Sequence, residues 1–334
     1  MTPEDAVAVS FFGVASSKAP TKVTPNSNPN TLYYMPMKYA SLAGHNQFVE
    51  RIVGGSIVDV VADSIRFYDG YSTFIPFNNV NSVVNHISYT RTFDKGFNGL
   101  RNENNWSTLV LPFDVQKVTA DGVAVDWFKP SDKKDKNFWV RRFYGEEGFY
   151  AYFTNAESIK ANVPYIITVP GDYKGEEYSL VGKTMVFSAD SVILLNKKVA
   201  ADADNYNFQG SYSECDTYGD YVYLLDEEVG GNNFIYNEAG GTVAPFRAYF
   251  TSETDPNQSS ILYVASYIDV FEEPTAILKP TISENDGTDT YLLRQGVYNI
   301  TGRKIQDVNG RTVEEILRQL PQGIYIINGK KFTK

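Results

Sequence analysis

From Thr31 to Tyr267, short runs of aromatic and β-branched residues recur at intervals of roughly 8–15 residues, each closed by a polar or glycine turn. No other feature limits the fold as strongly. Runs this short cannot build long helices, and Tyr, Phe, Val and Ile suit pleated, half-buried surfaces. Gly54-Gly55 and Asp69-Gly70 supply turn residues that tolerate positive φ. The spacing predicts a first strand at 6–12, then strands at 31–34, 56–61, 64–68, 73–77 and 86–93. It continues with strands at 107–111, 124–128, 138–144, 148–153, 164–169, 177–181, 184–187 and 192–195. The last of the series are 206–211, 221–225, 233–236, 246–251 and 262–267. Helix signals are few, and residues 156–161 read as a single turn.

The expected fold class is therefore all-β, with two or more β-sandwich or barrel-like domains in series. Composition agrees, since 43% of the residues are hydrophobic and the aromatics include 24 Tyr and 21 Phe. A length of 334 residues accommodates two or three domains. The net charge of −10 argues against nucleic acid or an anionic membrane as partner. No apolar run approaches the roughly 18 residues of a membrane-spanning helix. The single cysteine excludes an intrachain disulfide framework. Residues 1–17 carry Glu4 and Asp5 where a signal peptide has basic residues, so the chain is expected to be part of a longer precursor.

Boundaries follow from composition. Residues 1–95 read as an N-terminal β-rich region with a Pro- and Asn-rich loop at 19–30, and 96–268 as a central β-sandwich module. Residues 269–290 form an acidic linker, and 291–334 a C-terminal β-domain. That tail holds eight Lys and Arg against three Asp and Glu, a net of +5, whereas everything before it sums to −15. Gly302 and Asn328-Gly329 mark two hairpin turns in it, and TVEEILRQ between them reads as one or two helical turns.

The tail motifs VYNITGRKI and LPQGIYIINGKKFTK resemble the C-terminal sorting domain of proteins exported by the type IX (Por) secretion system of Bacteroidetes. The matching positions are Tyr298, Asn299, Gly302 and Ile305, then Leu320, Pro321 and Gly323 to Ile326, then Gly329, Lys330 and Lys331. The resemblance implies a small Ig-like β-sandwich at the terminus, a secreted or outer-membrane surface location, and engagement of secretion machinery through the tail. It departs from the family pattern between Val308 and Gln319. Over roughly residues 86–269, NNWSTLVLPFDV, IKANVPYIITVP and APFRAYFTS resemble a β-rich module of Bacteroidetes surface proteins, found beside adhesion-type regions. Asp63-Ser64-Ile65 and Asp190-Ser191-Val192 match the O-glycosylation pattern of exported Bacteroidetes proteins, which makes Ser64 and Ser191 candidates.

Residues able to carry chemistry are sparse. His45 and His86 lack HExxH or CxxC company, and no metal or cofactor is expected. Cys215 sits among acidic neighbours, which disfavour a thiolate. Glu146-Glu147 and Glu227-Glu228 could pair as in a glycosidase, but read as solvated turns. Asp202-Ala203-Asp204-Asn205 and Asn285-Asp286-Gly287 alternate oxygen ligands without an EF-hand pattern. Trp127, Trp139, Tyr144, Tyr150 and Tyr152 are the candidate rings for stacking on a glycan, the last four on the hairpin FWVRRFYGEEGFYAYF, whereas Trp106 reads as core. No catalytic residue is assigned. The expected function is non-enzymatic adhesion or envelope-associated binding to a host or cell-surface glycan or protein. A glycan-binding accessory module is the alternative, and a carboxylate-dependent glycoside hydrolase is the less favoured third.

Overall fold

The structure is a computed structural model. It describes residues 6–12, 22–36, 46–74, 81–99, 104–131, 136–195, 200–202, 205–217, 221–252, 261–266, 296–299, 304–307, 312–327 and 330–334. The chain divides into two compact units, Met1–Val264 and Ala265–Lys334. Strands dominate both, as the recurrence of short apolar runs implies.

Unit 1 is built from two large sheets. The first runs, edge to edge, Ala8–Ser10, Leu32–Met35, Gln47–Val53, Ser56–Tyr68, Asn81–Thr92, Thr184–Leu194, Lys117–Ala120 and Val123–Val125. Four of its seven neighbour pairings are antiparallel, whereas Ala8–Ser10 with Leu32–Met35, Leu32–Met35 with Gln47–Val53, and Ser56–Tyr68 with Asn81–Thr92 are parallel. The second runs Ala200–Asp202, Tyr206–Ser211, Arg247–Ser252, Val222–Leu225, Asn233–Tyr236, Ile261–Ser266, Tyr150–Asn155, Trp139–Glu147, Tyr165–Thr168 and Ser107–Leu109.

Alternation along each strand decides what is buried. Ile65, Phe67, Ile87, Tyr89, Met185 and Phe187 of the first sheet join Leu109, Val140, Tyr165 and Ile167 of the second in one core. Rings interlock across it, with Tyr89 at 4.7 Å from Phe246 and Phe138 edge-on to Phe187 at 6.4 Å. The second sheet also curls back on itself. Phe208 lies near one end of its strand order and Phe143 near the other, yet their rings are 6.0 Å apart. Phe153, Phe234 and Phe250 complete this inner aromatic cluster. Asn205 ties the seam, donating from its backbone N–H (2.9 Å) and side-chain amide (2.6 Å) to Glu146 Oε1.

Several expectations need correction. The boundary at 95/96 falls inside unit 1, because the Asn81–Thr92 strand pairs along its length with Thr184–Leu194. The runs at 56–61 and 64–68 are one strand, as are 184–187 and 192–195. The breaks expected at 62–63 and 188–191 contain exposed Asp63 and Asp190-Ser191, which interrupt the apolar alternation without ending the strand. Residues 177–181 are no strand, since Glu176–Tyr178 form a 3-10 turn, and 156–161 are not helical.

In unit 2 the strand order is Lys304–Asp307, Gly296–Asn299, Ile324–Ile327 and Lys330–Thr333, all antiparallel. The helix Val313–Gln319 arises where TVEEILRQ predicts it. Thr312 caps it reciprocally with Glu315, as its hydroxyl accepts from Glu315 N (3.3 Å) and Thr312 N donates to Glu315 Oε2 (2.9 Å). Ile316 and Leu320 of this segment pack with Val297 and Tyr325 of the sheet. Among the described residues the tail is thus one sheet covered by a helix, not the expected two-sheet Ig-like sandwich. Strands of four residues offer one small apolar face, and one amphipathic helix suffices to cover it.

Candidate functional site

The hairpin that pairs Trp139–Glu147 with Tyr150–Asn155 carries an aromatic ridge. Its register runs Tyr150↔Glu147, Ala151↔Glu146 and Tyr152↔Gly145, then shifts to Phe153↔Phe143. Tyr144 is the extra residue of this β-bulge, and it is 55% exposed. Phe143, Ala151 and Phe153 are buried, Phe143 and Phe153 within the inner cluster. Phe149 is exposed at the turn, where Gly148 adopts φ 59°. Tyr263, from the neighbouring Ile261–Ser266 strand, is 42% exposed and its N–H donates to Phe149 O at 2.8 Å. Tyr150 lies 5.5 Å from Tyr263 and 6.4 Å from Tyr152, at interplanar angles of 34° and 37°. The rings therefore lie nearer to a shared surface than to an edge-on packing arrangement.

Three of the five rings expected to face solvent do not; Trp127 is 5% exposed and its indole N–H donates to Ala156 O (2.8 Å). Trp139 is 6% exposed and packs edge-on against Phe97 at 5.6 Å. It shares its strand face with Arg141, which is buried over the Trp106 ring at 5.1 Å, so that this face is interior. Burial pulls the Arg141 guanidinium down to about 10. Tyr152 is 7% exposed, and its buried hydroxyl makes no hydrogen bond. Burial first, then the Glu147 and Tyr150 charges, push that phenol up to about 12. Tyr144 and Tyr150 remain accessible, and the structure adds Tyr263 and Phe149 to them. Tyr263 stood in the run ILYVASY, but nothing local in the sequence says which strand lies beside it.

The charged residues of the interior serve the packing of one sheet on the other. Asp69 ends the Ser56–Tyr68 strand and receives a bidentate pair from Arg247 (2.7 and 2.8 Å) and a hydrogen bond from Tyr89 (2.5 Å). Arg91 Nε is 3.6 Å away, an electrostatic contact without a hydrogen bond. Arg91 donates instead to Thr108 O (2.9 Å) and to Ser107 Oγ, which donates onward to Glu227 Oε1 (2.6 Å). Burial alone would raise the Asp69 carboxyl. The Arg247 hydrogen bond, the Arg91 and Arg247 charges and the Tyr89 hydroxyl outweigh it and hold the group below its ordinary value. Thus Glu146, read as a solvated turn residue, lies on a strand and accepts from Asn205, whereas Glu227 lies in an exposed turn as read and accepts from Ser107.

A polar cleft of about 740 Å³ is lined by Asp94, Lys95, Asn98, Asn105, Asp172 and Glu228, among others. Lys95 Nζ is tied to the backbone oxygens of Glu227 (3.2 Å) and Glu228 (3.1 Å). Cys215 is half-buried, and burial leads the effects that push its thiol up. Among the described residues no three His, Cys, Asp or Glu converge as a metal site would require. His45 and residues 203–204 and 285–287 lie outside the described residues.

Ser64 and Ser191 flank one level of the first sheet, where Ser64 pairs with His86 and His86 with Asp190. His86 Nδ1 and Asp190 Oδ1 are 2.7 Å apart. Ser191 is exposed with φ 56°, but Ser64 Oγ is covered and meets no hydrogen-bond partner. Of these two serines, Ser191 is the accessible one. Tyr298, Asn299, Lys330 and Lys331 lie on tail strands, and Gly323 just before one, where its N–H donates to Lys334 O (3.2 Å). Gly302 and Gly329 lie outside the described residues. The chain matches no protein-family model, no curated protein and no solved structure.

Proposed function

We propose that the chain is a non-enzymatic secreted or surface-displayed protein that acts in adhesion or envelope-associated binding, with the aromatic ridge as its contact surface. The observation that carries this reading is the pair Tyr150 and Tyr263, 5.5 Å apart, with exposed Tyr144 and Phe149 on the same hairpin, on a scaffold whose Phe143 and Phe153 are locked into a phenylalanine core. Exposed rings on a rigid scaffold contribute contact area at small entropic cost, and aromatic residues dominate binding hot spots. The part-buried carboxylate between the sheets, Asp69, is hydrogen-bonded by Arg247 and lies beside Arg91, and the buried Asp59 is paired with Arg51, so neither is free for acid–base work. The location rests on the tail's resemblance to a type IX sorting domain and on the middle module's resemblance to surface proteins.

Two measurements test the parts separately. Fluorescently labelled chain should bind Bacteroidetes or host cells, and a Tyr144→Ala/Tyr150→Ala/Tyr263→Ala variant of equal thermal stability should lose most of that signal. Undiminished binding by the variant would remove the ridge from the account. For location, a reporter fused to residues 291–334 should reach the surface of a type IX-competent host. Retention in the periplasm would leave the tail a fold resemblance only.

A further inference from the structure

Asn98 lines the polar cleft, away from the ridge, and is followed by a glycine. The chain is pinned up to Phe97, whose N–H donates to Val169 O (2.7 Å) and whose carbonyl accepts from Gly171 N (2.8 Å). Beyond that residue the pinning stops. Asn98 is exposed, and among the described residues neither its side-chain amide nor the Gly99 N–H takes part in a hydrogen bond. The Asn98 side chain rests against Gly171, where a Cβ would meet its Oδ1. Gly99 adopts φ 81° and carries no Cβ to shield its nitrogen. The two groups that a cyclisation would join are thus adjacent in the chain, unshielded and unengaged.

We propose that Asn98-Gly99 is a site of enzyme-free deamidation. The Gly99 nitrogen, its proton taken by solvent base, attacks Asn98 Cγ. A C–N bond forms, the Cγ–Nδ2 bond breaks, and Nδ2 leaves as ammonia with a proton returned from solvent. Water then opens the cyclic imide at either carbonyl and leaves aspartate or isoaspartate at position 98. The product adds a carboxylate to a lining that already holds Asp94, Asp172 and Glu228, while Lys95 stays tied to backbone oxygens. The cleft therefore gains negative charge as the chain ages. Asn137 and Asn237 are also exposed, but they precede Phe138 and Glu238. Each Oδ1 accepts a backbone N–H as well, from Asp126 (2.9 Å) and Ala239 (3.0 Å). Asn309-Gly310 and Asn328-Gly329 lie outside the described residues.

Peptide mapping by mass spectrometry of the full chain, aged in mildly alkaline buffer, tests this. The peptide holding Asn98 should gain the mass difference between an amide and an acid and become a substrate for an isoaspartate methyltransferase. Peptides holding Asn137 and Asn237 should stay unchanged, and Asn98→Gln should abolish the change at position 98. The rate should rise with pH. It should also stay within about 5-fold of the rate in guanidinium-unfolded chain, the factor that one hydrogen bond of typical net strength would impose. An Asn98 that keeps its amide long after the unfolded chain has reacted, or that reacts no faster than Asn137, would overturn the inference.

Discussion

Asp69 shows how much of this fold depends on one side chain. Its carboxylate holds Arg247 from the second sheet and Tyr89 and Arg91 from the first. Replacing it with Asn leaves the buried Arg91 and the part-buried Arg247 facing a neutral amide, which should destabilise unit 1 by about 1.5–3 kcal/mol. The pH dependence follows from the direction of the shift. The folded-state carboxyl lies below its unfolded value, so its contribution is complete above the ordinary carboxylate range and is lost as pH falls through the lower folded value. Melting curves of the native chain should therefore fall in the acid range, below pH of about 4, and Asp69→Asn should flatten that decline. An acid limb of equal slope in the variant would assign the decline to other carboxylates. The sequence marked Asp69-Gly70 correctly as a turn. It could not reveal the clamp, because Arg247 lies 178 residues away and only the completed sheet packing brings it in.

At the scale of elements, local chemistry was read well and partners poorly. The helix Val313–Gln319 was visible because Thr312 and Glu315 form a capping box ahead of an apolar pair, and all of those residues are neighbours in the chain. Thr312→Ala should cost about 1 kcal/mol. Hydrogen exchange should then quicken across 313–319 and stay unchanged in the Asn81–Thr92 strand. Equal exchange in the tail would mean that the cap adds nothing beyond packing on Val297 and Tyr325. By contrast, Trp139 was read as a solvent-facing ring. Alternation assigns residues to two faces of a strand, but which face is buried depends on the other strands and sheets that pack there. Here Phe97 fills the space beside Trp139 and the curled sheet closes over Phe143, while a bulge leaves Tyr144 exposed. Tyr263 escaped notice for the same reason, since its place beside Tyr150 depends on two strands far apart in sequence.

Over the whole molecule, a body of two packed sheets and a small sheet-and-helix unit follow one physical logic. Apolar alternation builds the sheets, and phenylalanine and tyrosine fill the space within them. Buried charges fasten one large sheet to the other, and one hairpin and its neighbouring strand carry the exposed Tyr144, Phe149 and Tyr263, while Tyr68, Tyr71, Tyr178 and Tyr221 are exposed elsewhere. The all-β class was legible from the period of the sequence alone. The parallel pairing of Ser56–Tyr68 with Asn81–Thr92, and the return of Thr184–Leu194 to the first sheet, were not, because pairing of distant strands leaves no local trace. The central claim is that binding occurs on the ridge. Hydroxyl-radical footprinting of the chain on bound cells addresses it directly. Protection of Tyr144, Phe149, Tyr150 and Tyr263, with Tyr68 and Tyr178 labelled as in the free chain, is the result this account predicts. Protection centred instead on the polar cleft around Lys95 and Val229, with the ridge still labelled, would contradict it.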